Sequence, residues 1–403
     1  MSGEPVAVDL GPLGLDQGAH LLLLRALRAA GPGASIEVRG SAPELLGQLQ
    51  AWARTQGHTV RAAPRPGHQG PGVVAALELA PGAGRLAGAE RAGGPGPEGA
   101  VEAPPARWGV ALRGALVEAG APAWDFPLHD KARVWAEEAP RLYAEAVAAQ
   151  WDPATAIDWS APCALDPEVE AAVVQVMTYL VENELAALVV PTRFLGRIHP
   201  HFREVLQLLA VQAADEARHV EVFTRRALLR GGPPGLSSAG GQASLKTLFD
   251  EPDFALAAFL LSVLGEGSFL SLLRFLRLNA PDPITARVCE LAEKDEARHV
   301  AFGLAHLRHE LEHDPGLRPR LATAVERRHA ALQHTAGLNA EVFDALVLLA
   351  AGEWSHAAIA RGFAAVGALQ RDMDQGRRHR LRQLGFSPGE AEALSALHTR
   401  NFM

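Results

Sequence analysis

From about residue 120 to the C-terminus, apolar residues recur every three to four positions, the period of an amphipathic or buried helix. The pattern predicts long helices over about 166–190, 201–230, 252–278 and 283–312, separated by the breakers "PTRFLGRIHPH", "GGPPGLSSAGG" and "NAPDP". Further helices are expected at about 317–337, 340–371 and 388–397. Residues 1–80 follow another rhythm. "PVAVDL", "ASIEVRG", "HTVRAA" and "GVVAALELA" read as short strands, and "GAHLLLLRALRAA" and "APELLGQLQAWARTQG" as the helices between them. That order predicts a small α+β two-layer sandwich, one helical layer over one sheet. Residues 81–107 are rich in Gly, Ala and Pro and have no apolar period, so they cannot bury enough surface to offset their ordering entropy. The expected organisation is an α+β domain over 1–80, a linker over 81–119 and a helical domain over 120–403, giving a mainly α chain.

Composition narrows the function classes. A chain of 403 residues, 48% of it hydrophobic, has ample material for two cores. The net charge of −8 and the lack of a Lys/Arg block remove the electrostatic basis for binding nucleic acid or an anionic membrane. "MSGEPVAVDLG" shows no secretory pattern, and the longest apolar run, Phe254 to Gly265, is too short to span a bilayer before Glu266 interrupts it. A cytoplasmic protein with a small-molecule partner is expected. Cys163 and Cys289 are far apart and outside any CxxC pattern, which excludes a cysteine zinc site or a rubredoxin-type iron site.

One hexapeptide carries the chemistry. "AADEARHVEVF", residues 213–223, is followed by "EKDEARHVAFG", residues 293–303. On a helix, residues three apart share a face, so Glu216 with His219, and Glu296 with His299, can each aim an oxygen and a nitrogen at one point. The paired motifs resemble those of ferritin-like di-metal proteins, in which one more carboxylate comes from each of the two other helices. Glu184 in "YLVENELAALVVP" and Glu266 in "LLSVLGEGSFLSLL" precede the two motifs at nearly equal intervals. Glu266 interrupts a strongly apolar helix, where an unpaired charge is costly and a metal removes the cost. Glu182 competes with Glu184, but Val181, Ala187 and Leu188 at helical spacings favour Glu184. Asp215 and Asp295 can each accept the outer N–H of a histidine on the partner helix, Asp215 from His299 and Asp295 from His219, with Arg218 and Arg298 holding the aspartates. His199 and His201 in "RIHPHF" read as exposed or capping loop residues. Tyr179 reads as core or as a redox-active neighbour of the metals, and Trp135, Trp151 and Trp159 as anchors for the approach segment.

From about 120 onward the chain resembles the ferritin-like di-iron carboxylate superfamily, on the repeated Glu-x-x-His motifs and their upstream glutamates. The resemblance implies a four-helix bundle with extra C-terminal helices, two iron ions or one manganese and one iron, and dioxygen as co-substrate. Three functions fit it: an oxidase or oxygenase of a small organic molecule with an external electron donor; a ferroxidase or peroxide scavenger; and a structural module. The ninety-odd residues after the last motif suit a roof over a substrate pocket near "GEWSHAAIARGF" and favour the first. The absence of CxxC pairs argues against a rubrerythrin-like peroxidase. The helical pattern is also similar to p-aminobenzoate N-oxygenase-like enzymes, which carry a further histidine four residues before the second Glu-x-x-His; here that place is Ala292. Ribonucleotide reductase small subunits share the Asp-Glu-x-Arg-His pattern. Ferritin-like bundles often pair along helix faces, which suggests a homodimer. Residues 1–80 resemble TusA-like sulfur-carrier domains, except that "LGLDQGAH" stands where that family has its cysteine.

Overall fold

In the computed structural model of the chain, residues 6–30, 33–62, 73–78, 86–333 and 340–398 are described. Two compact units result: Met1–Ala92 with Ala115–Pro122, and Gly93–Gly114 with Ala123–Met403.

The first unit has strands β1 (Val6–Asp9), β2 (Ser35–Gly40), β3 (Thr59–Ala62) and β4 (Val73–Glu78), with helices α1 (His20–Ala30) and α2 (Leu45–Gln56). The sheet order is β1-β2-β4-β3; β1 runs parallel to β2, and β4 runs antiparallel to both neighbours. Period-two alternation buries Ile36 and Val38 of β2, and i,i+4 spacing buries Leu23 and Leu27 of α1 and Leu45 and Leu49 of α2. This is an α+β unit, and its place in any sulfur-carrier family rests on the sequence resemblance alone. A short hairpin, β5 (Glu90–Arg91) with β6 (Leu116–Val117), belongs to the same unit.

The second unit is helical: α3 (Ala139–Ala148), α4 (Pro167–Thr192), α5 (Arg203–Ala227), α6 (Ala239–Phe249), α7 (Phe254–Ala258), α8 (Gly267–Leu278), α9 (Pro283–His313), α10 (Leu317–Leu332), α11 (Ala340–Ala351), α12 (His356–Gln383) and α13 (Pro388–His398). Between α7 and α8 the backbone is π-helical over Phe259–Glu266. Asp166 and Asp282 cap α4 and α9, accepting from Glu168 N at 3.0 Å and Thr285 N at 2.8 Å, with Pro at the first helical position of each. α4 packs along α5 and α8 along α9, and the two pairs meet as a four-helix bundle. Fully buried Arg226 ties three helix ends: it forks onto Glu170 of α4 at 2.8 and 3.0 Å, and reaches Asp282 at 2.9 Å and Thr285 of α9 at 2.8 Å. Removing one partner from such a buried node costs roughly 3–5 kcal/mol.

Several expectations change. Gly93–Gly114, inside the expected linker, is built into the helical unit: buried Arg113 pairs with buried Glu204, and Val101 N donates to His201 Nε2 at 3.0 Å. Residues 81–85 of that stretch lie outside the described residues, as do 79–80 of the strand expected in "GVVAALELA" and 334–337 of the helix expected over 317–337. The helix expected over 340–371 bends by 120° at Gly352–Ser355, where Gly352 has φ 69° and Ser355 caps α12. Trp354 and Phe363, in the stretch expected to roof a pocket, are 62% and 60% exposed. The apolar run at Phe254 continues as helix to Leu278, and Pro167–Thr192 and Phe254–Leu278 are both long and apolar enough to cross a membrane. In this chain most of each is buried in the bundle, which accounts for its apolarity.

Candidate metal centre

Six side chains meet in the middle of the bundle: Glu184 from α4, Glu216 and His219 from α5, Glu266 from the last π-helical position, and Glu296 and His299 from α9. None is more than 5% exposed. Glu182, the competitor on α4, is only half-buried and outside the cluster. Two overlapping groups form, Glu184–Glu216–His219–Glu296 and Glu216–Glu266–Glu296–His299, and the atoms of each lie within 4.8 Å of one another.

Glu216 and Glu296 belong to both groups, and their oxygens show how. Glu216 turns Oε2 to His219 Nδ1 at 3.2 Å and Oε1 to His299 Nδ1 at 3.0 Å. Glu296 turns Oε1 to His219 Nδ1 at 3.3 Å and Oε2 to His299 Nδ1 at 3.5 Å. Each carboxylate thus divides its oxygens between the two imidazoles. Glu184 closes one end, 3.5 Å from His219 Nδ1. Glu266 closes the other, accepting from Gln212 Nε2 at 3.4 Å.

Hydrogen bonding leaves this cluster unsatisfied. Glu184 Oε1, Glu216 Oε1, Glu266 Oε2, both oxygens of Glu296 and His299 Nδ1 are buried without a hydrogen-bond partner. His299 Nδ1 is close to Glu216 Oε1 yet not aligned with it as a donor. Atoms about 3 Å apart that point past one another at a shared centre are what ligands of one ion look like, since bonds of about 2.1 Å at right angles separate donor atoms by roughly 3.0 Å. The set fits two hard or borderline cations, each offered carboxylate oxygens and one imidazole.

The electrostatics carry the same message. Burial, with Glu216 and Glu296 as like-charged neighbours, pushes Glu184 well above the usual carboxylate range; burial and Glu296 do the same to Glu266. For Glu216 burial acts upward too, but His299 and His219 outweigh it and hold the group low. Burial disfavours charged imidazoles, yet Glu184 with Asp295 raises His219, and Glu216 with Glu296 raises His299. Four carboxylates in a dry space need cations, and protons supply them where metals do not.

Outside the cluster, His299 Nε2 lies 3.2 Å from Asp215 Oδ2 and His219 Nε2 lies 3.2 Å from Asp295 Oδ2. Both imidazoles therefore keep Nδ1 turned inward. Arg218 and Arg298 each reach both aspartates: each binds the one three residues before it, Arg218 lies 3.4 Å from Asp295 and Arg298 lies 3.6 Å from Asp215. Two further donors were not foreseen. Trp151, expected as an anchor, donates Nε1–H to Asp295 Oδ2 at 2.7 Å and stacks on His219 with ring centroids 6.4 Å apart; Gln150 donates to Asp215 Oδ1 at 2.9 Å. No periodicity marks them, because both come from the segment after α3. Gln212 could have been found, since it sits one turn before Glu216 on the same face.

The other candidates lie elsewhere. His199 and His201, expected as exposed or capping loop residues, are 1% and 2% exposed; His199 does cap the short helix Pro200–Phe202, its Nδ1 accepting from His201 N at 3.1 Å. Tyr179 packs its ring on Phe269, and burial raises its phenol. Buried Cys289 has its thiol pushed up to about 12 by burial, the state of a packing residue.

Two helix pairs each give one glutamate and one Glu-x-x-His to a shared cluster, a side-chain set that could hold metal ions in a ferritin-like bundle. No protein-family model and no curated protein sequence matches the chain. Among solved structures the chain is similar to R2-like ligand-binding oxidases. One variant with an aerobically reconstituted Mn/Fe cofactor is 19% identical over 63% of this chain and 95% of that chain, with a TM-score of 0.49. A second Mn/Fe structure is 20% identical over 63% of this chain and 94% of that one, also at 0.49. A variant with an aerobically reconstituted Fe/Fe cofactor is 19% identical over 63% and 95%, at 0.48.

Proposed function

We propose that the helical unit is a dioxygen-activating oxidase or oxygenase of a small organic molecule, with two metal ions, both iron or one iron and one manganese, held by Glu184, Glu216, His219, Glu266, Glu296 and His299. The observation that carries this reading is the division of the Glu216 and Glu296 oxygens between His219 and His299, which puts both carboxylates within reach of both halves of the cluster. Two divalent cations held by these residues would balance the charge of the four carboxylates. Such a pair, when bound and reduced, supplies the electrons that activate dioxygen.

The protein's own part is to prepare the place. Asp215 and Asp295 accept the outer N–H of His299 and His219 and hold each Nδ1 toward the centre. Arg218 and Arg298 keep those aspartates charged and in register. Burial of all six inner side chains excludes water, which strengthens every charge interaction among them. Repeated turnover calls for an external electron donor, and we place the protein in the cytoplasm as a homodimer.

Metal content per chain in purified protein tests the reading, with Glu216→Ala and His299→Ala alongside. The expected result is about two metal ions per chain, lost in both variants. Protein that stays metal-free through reconstitution overturns it and leaves the repeated DEARHV as a buried ion-pair network.

A further inference from the structure

We infer that His309 and His313, on the last turns of α9, form a second metal site that takes one zinc-like divalent cation. The inference stands apart from the reading of the centre. These are the only two histidines of the chain that lie four residues apart, and that spacing sets both imidazoles on one face of a helix, one above the other. Their ring centres are 4.5 Å apart. A cation about 2.1 Å from two imidazole nitrogens, taken at a right angle, also holds the ring centres roughly 4.5 Å apart.

Rings can touch for packing alone; the state of their nitrogens separates a clamp from a contact. His313 Nδ1 lies 2.7 Å from the His309 carbonyl oxygen. A carbonyl only accepts, so Nδ1 carries the proton and, in the neutral ring, Nε2 keeps a free lone pair. His309 Nε2 is buried with no hydrogen-bond partner among the described residues. Burial, with His313 and Lys131 nearby, holds His309 below the usual histidine range against the pull of Glu137 and Glu312, so the ring is neutral at pH 7. Neutral imidazole is the form that binds metal. The local field favours a cation as well. His313 is the last residue of α9, where the carbonyl end of the helix dipole attracts positive charge.

The donors select the ion. Two imidazoles suit zinc or copper better than magnesium or manganese, which prefer oxygen. The stretch from His309 to His313 also reads H-E-x-x-H, the spacing of metal-dependent hydrolases in which the glutamate is the general base. Here that glutamate, Glu310, is buried and turned to His306 and Arg320, so the clamp lacks the base and is a binding site.

Zinc titration of full-length protein, read by calorimetry against a competing chelator, tests the inference in the parent, His309→Ala, His313→Ala and His356→Ala, the last an exposed histidine outside the pair. The expected result is one zinc ion per chain, beyond any that the centre takes up, whose affinity falls by about tenfold or more in either pair variant and is unchanged in His356→Ala. Zinc should also raise the Tm of the parent more than that of His313→Ala. Equal zinc number and affinity in the parent and both pair variants overturns the inference. An equal loss in His356→Ala overturns it too, because it marks adventitious binding by surface histidines. Neither pair variant touches the six inner side chains, so a centre that fails to load and a clamp that fails to bind are read separately.

Discussion

Asp295 collects more partners than any single role needs: the His219 imidazole, the Trp151 indole and the guanidinium groups of Arg218 and Arg298. Burial pushes this carboxylate up, but His219, Trp151 and Arg298 outweigh it and hold it well below its ordinary range. It is therefore a permanent acceptor for the His219 N–H. Asp295→Asn replaces that acceptor with a group that can turn its amide N–H toward the imidazole, so the inward Nδ1 loses its fixed tautomer. Metal affinity in a competition titration should fall by roughly 10–100-fold. Trp151→Phe removes one of the four partners and should cost less; an equal loss in the two variants would mean that the indole, not the carboxylate, orients the histidine. The six inner side chains were legible in the sequence because i,i+3 spacing and an interrupted apolar helix are local facts. Which glutamates lie between the two histidines was not, because that depends on how α5 and α9 register across the bundle. Trp151 was illegible for the same reason, reaching Asp295 from a separate segment of the chain.

At the scale of elements, the helix expected over 252–278 differs from the observed one in its interior rather than its ends. Eight residues, Phe259–Glu266, take a π-helical course and end on the glutamate that closes the cluster. π-turns carry poorer hydrogen bonding and tend to occur at functional sites. Here α12 braces them. Arg380, almost fully buried and pushed by burial down to about 10, donates Nε–H to Val263 O at 2.6 Å, and Arg377 donates to Ser268 Oγ at 3.1 Å. Gly303 of α9 lies close against the π-segment, where an added Cβ would meet the Ser262 Cβ at 2.7 Å. Gly303→Ala should force that contact apart and destabilise the protein by about 1–3 kcal/mol in urea unfolding. A midpoint equal to that of the parent would show that α9 and the π-segment are not packed this closely. Neither feature has a signature in the sequence. A π-turn keeps the composition of an apolar helix, and a buried arginine reads like a surface one until its partner is known. The helix α6 was missed because its first residues, Ala239–Gly241, are the end of a Gly- and Ser-rich breaker.

Across the whole molecule, stability depends on buried ionisable groups outside the centre, and one pair has opposing effects. His306 and Glu310 occupy successive turns of α9, fully buried, with Nε2 and Oε2 4.0 Å apart. Burial pushes His306 down to about 4. Burial, with Asp253 nearby, pushes Glu310 up to about 7, against the pull of Arg133 and Arg320. Both side chains are then neutral in the folded state between those values. Below about pH 6.5 the unfolded chain protonates its histidine while the folded chain does not, so the His306 contribution weakens as pH falls toward 4. Glu310 works in the other direction. Its folded-state value lies above the unfolded one, so its contribution is full below about 4.5 and is lost as pH rises through 7. The two slopes oppose each other across the same window and largely cancel. Glu310→Gln removes one of them, and relative to the parent its unfolding free energy should increase as pH is raised from 5 to 7. His306→Gln removes the other, and relative to the parent its stability should decline over that range. Denaturant titrations at several pH values, with the parent as reference, read both differences directly. Parallel profiles for the three proteins would mean that water reaches this part of α9 and that neither group is held neutral by the fold.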